Sequence, residues 1–277
     1  MEADNLRPDA VGRRAGLPGR PGAVDREGAA MNGAALQVRD LRKSFYAVHA
    51  LDGVSFSVAP GELVGLIGPN GSGKTTAIDC ISGLQEPDSG SVELDGASIF
   101  RYAPHRLAQH DVVRTFQGVR VFATLPVRRN LEVAMLGRLR GRQRIAALAH
   151  RRRGWPGIGD LIATFGLEPV ADMPAGHVSY GQRKLVEFAA ACVRRPRLLL
   201  LDEPVAAVNP TMANVIRDRI LELHRQGTSI LLVEHNMEFV LGTCQRVIVL
   251  DEGRILVEGA PEDVVRRPIV QEAYFGR

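Results

Sequence analysis

The chain has 277 residues, a length that fits two compact domains or one α/β domain with an added subdomain. Apolar residues make up 45% and charged residues 24%, which excludes a wholly disordered chain, and no apolar run approaches the roughly 18 residues of a membrane span. A net charge of +4 is too small to indicate an acidic partner, and the three cysteines lack zinc or disulfide spacing. Only three of the 35 basic residues are lysines, Lys43, Lys74 and Lys184, so a lysine inside a motif is informative.

The first residues differ in composition from the rest of the chain. Glycines, prolines and scattered charges occur there with almost no aliphatic periodicity, which predicts a disordered arm over residues 1–34 and no signal peptide. Met31 stands just before the first regular pattern, and a start of translation at Met31 fits the sequence as well as a start at Met1. We expect the folded domain to occupy residues 35–277.

Strand patterns alternate with helix patterns from residue 36 onward. Strands are predicted at residues 36–39, 54–58, 63–67, 91–94, 112–116, 198–201, 229–233, 247–250 and 255–257. Helices are predicted within residues 126–177, with breaks at Gly137, Gly141 and Gly154, and around residues 216–224. This order predicts a largely parallel sheet covered by helices, with a helical subdomain inserted at about residues 118–195.

A phosphate-loop pattern, G-x-x-x-x-G-K-[ST], follows the apolar run at residues 63–67 and leads into a helix predicted to begin near Ala77. Glycines let polyphosphate oxygens approach backbone N–H groups, and the helix N-terminus adds the positive end of its dipole. Lys74 can contact the β- and γ-phosphates, and the Thr75 hydroxyl can ligate Mg²⁺. The candidate phosphate-binding residues are Gly68, Asn70, Gly71, Ser72, Gly73, Lys74, Thr75 and Thr76.

Candidate catalytic groups stand where two further apolar strands end. Asp202 and Glu203 follow the strand at residues 198–201, and His235 follows the strand at residues 229–233. The carboxyl ends of parallel strands share one edge of a sheet, which places these groups beside the phosphate loop. Asp202 suits the Mg²⁺ side, Glu203 suits a base that orients or deprotonates water, and His235 suits a γ-phosphate sensor. The alternatives are solvated turn acids and a structural histidine.

The motifs in this order resemble those of ATP-binding subunits of ABC transporters, over about residues 36–277. Phe45 stands at the position of the aromatic residue that stacks on adenine, and Gln117 at that of the Q-loop glutamine. Residues 206–209 match the D-loop, and His235 the switch histidine. The family signature corresponds to residues 178–182, which place Ser179, Tyr180, Gly181 and Gln182 in the nucleotide site. Ser179 and Gly181 precede a helical pattern, and a helix N-terminus suits an anion.

This resemblance implies a P-loop NTPase fold with a mixed sheet core, an antiparallel β subdomain and an inserted α-helical subdomain. It implies ATP and Mg²⁺ as cofactors, with Thr75, Gln117 and Asp202 as metal ligands and Glu203, His235 and Gln117 as catalytic residues. It also implies a head-to-tail dimer, in which ATP lies between the phosphate loop of one subunit and the signature of the other.

Departures from the family pattern indicate a subfamily. Tyr180 replaces the first signature glycine, and Asn209 replaces the D-loop aspartate. With the sequence of residues 112–117 and the tail at about residues 253–277, they resemble the LivG-type ATPases of branched-chain amino acid importers. The partners implied are a second ATPase subunit, two membrane permeases and, indirectly, an external solute-binding protein. The second ATPase subunit is expected to form a heterodimer with this chain, with a homodimer as the alternative. The implied location is peripheral, on the cytoplasmic face of the inner membrane.

Residues 118–154 contain ten arginines and a single acidic residue, Glu132. Attraction to anionic lipid or to a permease loop explains this excess as well as a solvated helix face does. A nucleic-acid partner is not expected, because aromatic residues for stacking are few there. Transport of urea or another small solute, and a soluble ABC ATPase without a transport role, remain the alternative functions. A non-catalytic subunit is disfavoured by the presence of both Lys74 and Glu203.

Overall fold

The structure of the protein is a computed structural model that describes residues 35–138, 157–193 and 195–275. The arm predicted at residues 1–34 lies outside the described residues, as do residues 139–154 of the arginine-rich stretch, which contain six of its ten arginines. The strands are β1 (Leu36–Phe45), β2 (Val48–Val58), β3 (Leu63–Ile67), β4 (Ser89–Leu94), β5 (Ala97–Ser98), β6 (Val112–Arg114), β7 (Leu198–Asp202), β8 (Ser229–Val233), β9 (Arg246–Asp251) and β10 (Arg254–Gly259).

The described α-helices are α1 (Lys74–Ile81), α2 (Pro104–Leu107), α3 (Val127–Arg138), α4 (Ile158–Thr164), α5 (Tyr180–Cys192), α6 (Pro210–Arg225), α7 (Met237–Leu241), α8 (Pro261–Val265) and α9 (Pro268–Phe275). Short 3₁₀ turns occur at Ala108–His110, Glu168–Val170 and Ala175–His177. None of the helices in the described ranges is long and apolar enough to cross a membrane.

The central sheet has six strands in the order β10-β9-β3-β8-β7-β6. Strands β9, β3, β8, β7 and β6 run parallel to their neighbours, and β10 pairs with β9 in the antiparallel direction. Every residue of β3, β7 and β8 is buried, because helices or the second sheet cover both faces. The structure thus confirms the predicted mixed, largely parallel sheet.

The second sheet is antiparallel, in the order β2-β1-β4-β5, and packs with α1 on one face of the central sheet. Alternate side chains of the central strands share in that packing, among them Leu66, Leu200 and Leu231. Their neighbours, such as Leu199 and Leu232, point to the other face and pack with α5 and α6. The period-2 geometry of a strand thus divides the core into two layers.

Helices α3, α4 and α5 stand between β6 and β7, as the predicted helical insertion requires. Val127 and Leu131 of α3 are fully buried in the same core as Leu185 and Phe188 of α5. The predicted break at Gly137 is wrong, because α3 continues through Gly137 to Arg138. A single glycine costs a helix only about 1 kcal/mol relative to alanine, which the buried face of α3 offsets. Gly141 and Gly154 lie outside the described residues.

Two predicted boundaries are also wrong. The helix after the phosphate loop begins at Lys74 rather than near Ala77, because Gly73 has a left-handed backbone (φ 106°) and acts as its N-cap. Lys74 and Thr75 therefore belong to the first helical turn, where backbone N–H groups have no partner within the helix. Strand β6 ends at Arg114, two residues before Phe116, since only Val112, Val113 and Arg114 pair with β7.

Candidate active site

The phosphate loop lies between β3 and α1, at the edge of the central sheet where β7 and β8 also end. A cleft of about 500 Å³ opens beside this loop. Its walls include Lys74, Thr75 and Thr76 from the loop, together with Gln117 and Glu203 from two other segments. Glu203, predicted from the end of a strand, thus faces the same cleft as Lys74, whereas the other two strand-end residues, Asp202 and His235, are not among the residues that line it.

Different structural constraints explain why glycine occupies three positions of the loop. A Cβ on Gly68 would lie 2.0 Å from the Leu250 carbonyl oxygen, and a Cβ on Gly73 would lie 2.4 Å from the Ala50 carbonyl oxygen. A Cβ on Gly71 would meet no atom within 4 Å, and its φ of +80° accounts for glycine there. Contact with neighbouring backbone, rather than room for a ligand alone, thus explains Gly68 and Gly73.

Lys74 is buried, and its ammonium donates to atoms of the loop itself. The Nζ atom lies 2.8 Å from the carbonyl oxygens of both Gly68 and Pro69, and 3.4 Å from the Ser72 hydroxyl. Burial lowers the pKa of Lys74, and the negative charges of Glu203 and Asp202 counteract that effect. The ammonium is thus held by two carbonyl oxygens of the loop, and the charges of two carboxylates act on it.

Asp202 is 3% exposed at the end of β7 and pairs with Arg114, at 2.8 Å between Oδ2 and the guanidinium. Arg114 also binds Asp79 of α1 at 2.5 Å and the Ser82 hydroxyl at 2.7 Å. Burial raises the pKa of Asp202, and its bond to Arg114 counteracts that effect. Sequence reasoning missed Arg114, although a charged residue in a buried strand must find partners and so gives a usable signal.

Glu203 receives contacts from both other predicted catalytic residues. Gln117 Nε2 donates to Glu203 Oε2 at 2.9 Å, and His235 Nδ1 lies 3.5 Å from Glu203 Oε1. The Glu203 backbone has a φ of +47°, a left-handed conformation that L residues seldom adopt. Such strain persists only where the surroundings impose it, and it is concentrated at functional sites.

Glu234 is fully buried directly before His235 and was not among the predicted site residues. Its carboxylate accepts hydrogen bonds from the N–H groups of His235 at 2.9 Å, Asn236 at 3.1 Å and Val205 at 3.3 Å. These bonds fix the turn that presents the imidazole toward Glu203. Its position next to a strand-end histidine was the signal that sequence reasoning did not use.

The four signature residues form the N-terminus of α5 and do not line the cleft. The Ser179 hydroxyl accepts from the Gln182 N–H at 3.2 Å, and the Gln182 side-chain oxygen accepts from the Ser179 N–H at 3.0 Å. This reciprocal pair is a capping box. It leaves the N–H groups of Tyr180 and Gly181 without a partner within the helix, which suits an anion.

Phe45 ends β1 with a side chain that is 41% exposed, and it pairs across the hairpin with Val48. Val48, His49 and Ala50 line the cleft, whereas Phe45 is not among the lining residues. Lys43 lies over the Phe45 ring, at 5.4 Å from its centroid. The predicted aromatic residue thus lies beside the cleft, and its hairpin neighbours reach the phosphate loop.

The three predicted metal ligands offer the hard oxygen donors that Mg²⁺ prefers. The Thr75 hydroxyl and the Gln117 amide belong to residues that line the cleft, whereas Asp202 directly precedes Glu203 but is not among the lining residues. Gln117 uses its Nε2 atom toward Glu203, so its oxygen can face a cation. Within the described ranges, no three His, Cys, Asp or Glu side chains group as a metal cluster. A donor set this small fits Mg²⁺, which retains waters and binds phosphate oxygens as well.

Comparison with known proteins gives one consistent family. The family model for ABC transporters matches residues 51–206. The chain is 34% identical over 248 residues to the high-affinity branched-chain amino acid transport ATP-binding protein BraF of Pseudomonas aeruginosa, covering 87% of this chain and 97% of that protein. It is 35% identical over 248 residues to the corresponding protein LivG of Escherichia coli strain K12, with the same two coverages of 87% and 97%.

Solved structures agree with the sequence relatives. A nucleotide-free ATP-binding cassette from an ABC transporter superposes with a TM-score of 0.76 and 31% identity, covering 89% of this chain and 100% of that chain. The ADP conformation of an ATP-binding cassette of an ABC transporter gives a TM-score of 0.76 and 32% identity, with the same coverages of 89% and 100%. The fold predicted from the motif order is therefore the observed one.

Proposed function

Since this chain belongs to the ABC transporter family of ATP-binding proteins, we propose that it binds and hydrolyses ATP to energise an importer of branched-chain amino acids or related amino acids and amides. The observation that carries the proposal is the meeting of Lys74, Gln117 and Glu203 at one cleft. The class of solute rests on the names of the relatives BraF and LivG. This chain covers 97% of the length of each.

The triphosphate of ATP would lie against the phosphate loop and the first turn of α1. Lys74 supplies the positive charge, and backbone N–H groups from Gly71 to Thr76 supply hydrogen-bond donors. The base would extend toward the β1–β2 hairpin, where Phe45 offers an aromatic face beside Val48. Asn70 and Ser72 complete the loop around the phosphates.

Mg²⁺ supplies charge neutralisation for the phosphate oxygens when it is bound, and Thr75, Gln117 and Asp202 would hold it. Arg114 fixes one oxygen of the Asp202 carboxylate and thereby sets the direction of the other. The bond from Arg114 to Asp79 ties this arrangement to α1, the helix that follows the phosphate loop. Strand β6 and α1 are thus linked through Arg114, which holds Asp202 as well.

Glu203 would orient the attacking water or accept its proton. Gln117 binds one oxygen of the Glu203 carboxylate, and His235 lies near the other. A positioned base of this kind contributes about 10²- to 10⁴-fold to the rate. His235 is exposed and lies 3.5 Å from Glu203, which suits the predicted sensor of the γ-phosphate.

A second ATPase subunit would complete the site. The N–H groups of Tyr180 and Gly181 suit an anion, yet the signature residues do not line the cleft of their own chain. A head-to-tail dimer brings the signature of one subunit to the phosphate loop of the other. We expect a heterodimer with a related ATPase, and a homodimer as the alternative.

The assembled transporter would add two permeases in the membrane and an external solute-binding protein that acts indirectly. This chain would then be peripheral, on the cytoplasmic face of the inner membrane, with no nucleic-acid partner. The inserted helical subdomain would face the permeases. The ten arginines of residues 118–154 would favour anionic lipid headgroups or a permease loop in that location.

Uptake by cells that lack this chain tests the proposal. We expect deletion of the gene to abolish ATP-dependent uptake of labelled leucine, the parent chain to restore it, and the Glu203→Gln chain not to restore it. Loss of urea uptake with normal leucine uptake would replace the proposed solute. Normal uptake of both, with the protein found outside the membrane fraction, would indicate a soluble ABC ATPase instead.

A further inference from the structure

Lys184 is a buried lysine to which the proposed reaction assigns no role. It is one of three lysines in the chain, and it lies in the second turn of α5 with only 4% of its surface exposed. Lysines are almost never buried to this degree without a partner. Its partner lies on another element, because Nζ donates to the backbone carbonyl oxygen of Glu203 at 2.9 Å.

The bond from Lys184 holds a strained peptide. Glu203 has a φ of +47°, and its N–H donates to the Val233 carbonyl oxygen at 2.9 Å. Lys184 fixes the carbonyl of the same residue, so the Glu203 backbone is held on both sides. The direction of the Glu203 side chain, and with it the contacts to Gln117 and His235, depends on that backbone.

Surrounding carboxylates keep a cation at this position. Burial lowers the pKa of Lys184, and the negative charges of Glu187, Glu234, Glu203 and Asp202 counteract that effect. The Glu203 carbonyl oxygen also accepts from the Ala206 N–H at 3.1 Å. A neutral side chain of similar length could fill the space of Lys184 but would leave that carbonyl with the Ala206 donor alone and remove its link to α5. The role of Lys184 in this site is thus to donate a hydrogen bond from a buried cation to one carbonyl oxygen.

We propose that Lys184 is a positioning residue for hydrolysis: its ammonium holds the Glu203 backbone so that the carboxylate faces the attacking water. The inference rests on the proposed function, because it assumes that Glu203 acts on water. It also ties α5, whose N-cap is Ser179, to the backbone of the proposed base. The position of the signature helix then influences the rate at the cleft of the same chain.

Steady-state ATP hydrolysis by the full chain in the assembled ATPase dimer, with ATP affinity measured separately, tests this inference. We expect Lys184→Met to lower kcat by about 10- to 100-fold, the range expected for misplacing a reacting group by about 1 Å. The Kd for ATP should stay within about twofold, because Lys184 is not among the residues that line the cleft. Lys184→Arg retains a buried cationic donor and should recover most of the lost kcat.

Arg246→Met provides a matched control. Arg246 also donates to a backbone carbonyl oxygen, that of Ser57 at 2.7 Å, but it begins β9 at the sheet edge opposite the phosphate loop. This variant should lower the melting temperature without lowering kcat. If Lys184→Met folds poorly, Lys184→Gln retains an N–H donor without the charge and should keep more activity than the methionine variant in the soluble fraction.

An unchanged kcat in Lys184→Met would overturn the inference, provided that the parent chain hydrolyses ATP. A loss of kcat that follows the loss of melting temperature, as strongly in Arg246→Met as in Lys184→Met, would also overturn it and indicate a structural role alone. Absence of hydrolysis by the assembled dimer with the parent chain, under conditions where ATP binds, would instead contradict the proposed function, so the two failures are distinguishable.

Discussion

Gly68 and Gly73 lie where the phosphate loop touches other parts of the chain, against the carbonyl oxygens of Leu250 and Ala50. The sequence pattern predicts glycine at these positions but attributes it to the approach of phosphate. The backbone contacts could not be foreseen, because Leu250 and Ala50 are brought to the loop only by the order of the strands. These backbone contacts constrain the conformation of the phosphate loop before any ligand binds.

Lys74→Ala tests the role of the lysine charge. A charge-assisted hydrogen bond contributes about 1.5–3 kcal/mol, so its loss should weaken ATP binding by roughly 10- to 150-fold. Arg225→Ala is a suitable control, because Arg225 is an exposed cation on α6 that pairs with Glu222. Fluorescence titration with a labelled ATP analogue measures both variants. Equal affinity in the parent chain and Lys74→Ala would exclude the assigned phosphate site.

Among the secondary-structure elements, the strands that are buried on both faces were predicted well. The continuous apolar runs of β3, β7 and β8 are sufficient to predict these strands. The parallel arrangement of the strands then predicts that the acids at the end of β7 lie at the same edge of the sheet as the phosphate loop. The start of α1 was predicted three residues late, because the left-handed conformation of Gly73 is not visible in a composition pattern. Arg114 was missed because its partners Asp79, Ser82 and Asp202 lie far away in the sequence. Glu234 was missed because the turn that folds the N–H groups of His235 and Asn236 onto its carboxylate is not visible in the strand pattern.

Ser179 has a local role in α5 and a proposed role toward the partner's nucleotide, and two substitutions separate them. Ser179→Ala removes the capping box, which costs about 1 kcal/mol and should lower the melting temperature by about 2–4 °C. Ser179→Asp keeps a good N-cap but places a carboxylate against a phosphate, so hydrolysis should fall while the melting temperature is retained. Parental hydrolysis in Ser179→Asp would contradict the proposed dimer site.

In the whole molecule, the two candidate anion sites belong to different elements: the loop before α1 and the N-terminus of α5. The cleft contains the first and lacks the second. A complete site therefore requires a second subunit under the proposed arrangement. The residues of the cleft, by contrast, are not specific to the transported solute. The motifs alone therefore identify the reaction more specifically than the solute.

Removal of residues 1–30 tests the predicted arm. Its composition offers almost no aliphatic periodicity, so it has little apolar surface to bury, and we expect the melting temperature and the rate of ATP hydrolysis to stay unchanged. Thermal unfolding followed by circular dichroism, together with a phosphate-release assay, compares the two chains. A drop of several degrees on truncation would show that the segment packs against the folded domain.

The central claim is that Glu203 activates water at the cleft that it lines together with Lys74 and Gln117. Phosphate release by the assembled dimer with the parent chain or with Glu203→Gln, measured with ATP binding, tests it most directly. We predict that Glu203→Gln binds ATP with unchanged affinity and releases phosphate at least about 10²-fold more slowly, the effect of losing a positioned base. Phosphate release at the parental rate would contradict the claim and assign the activation of water to another group.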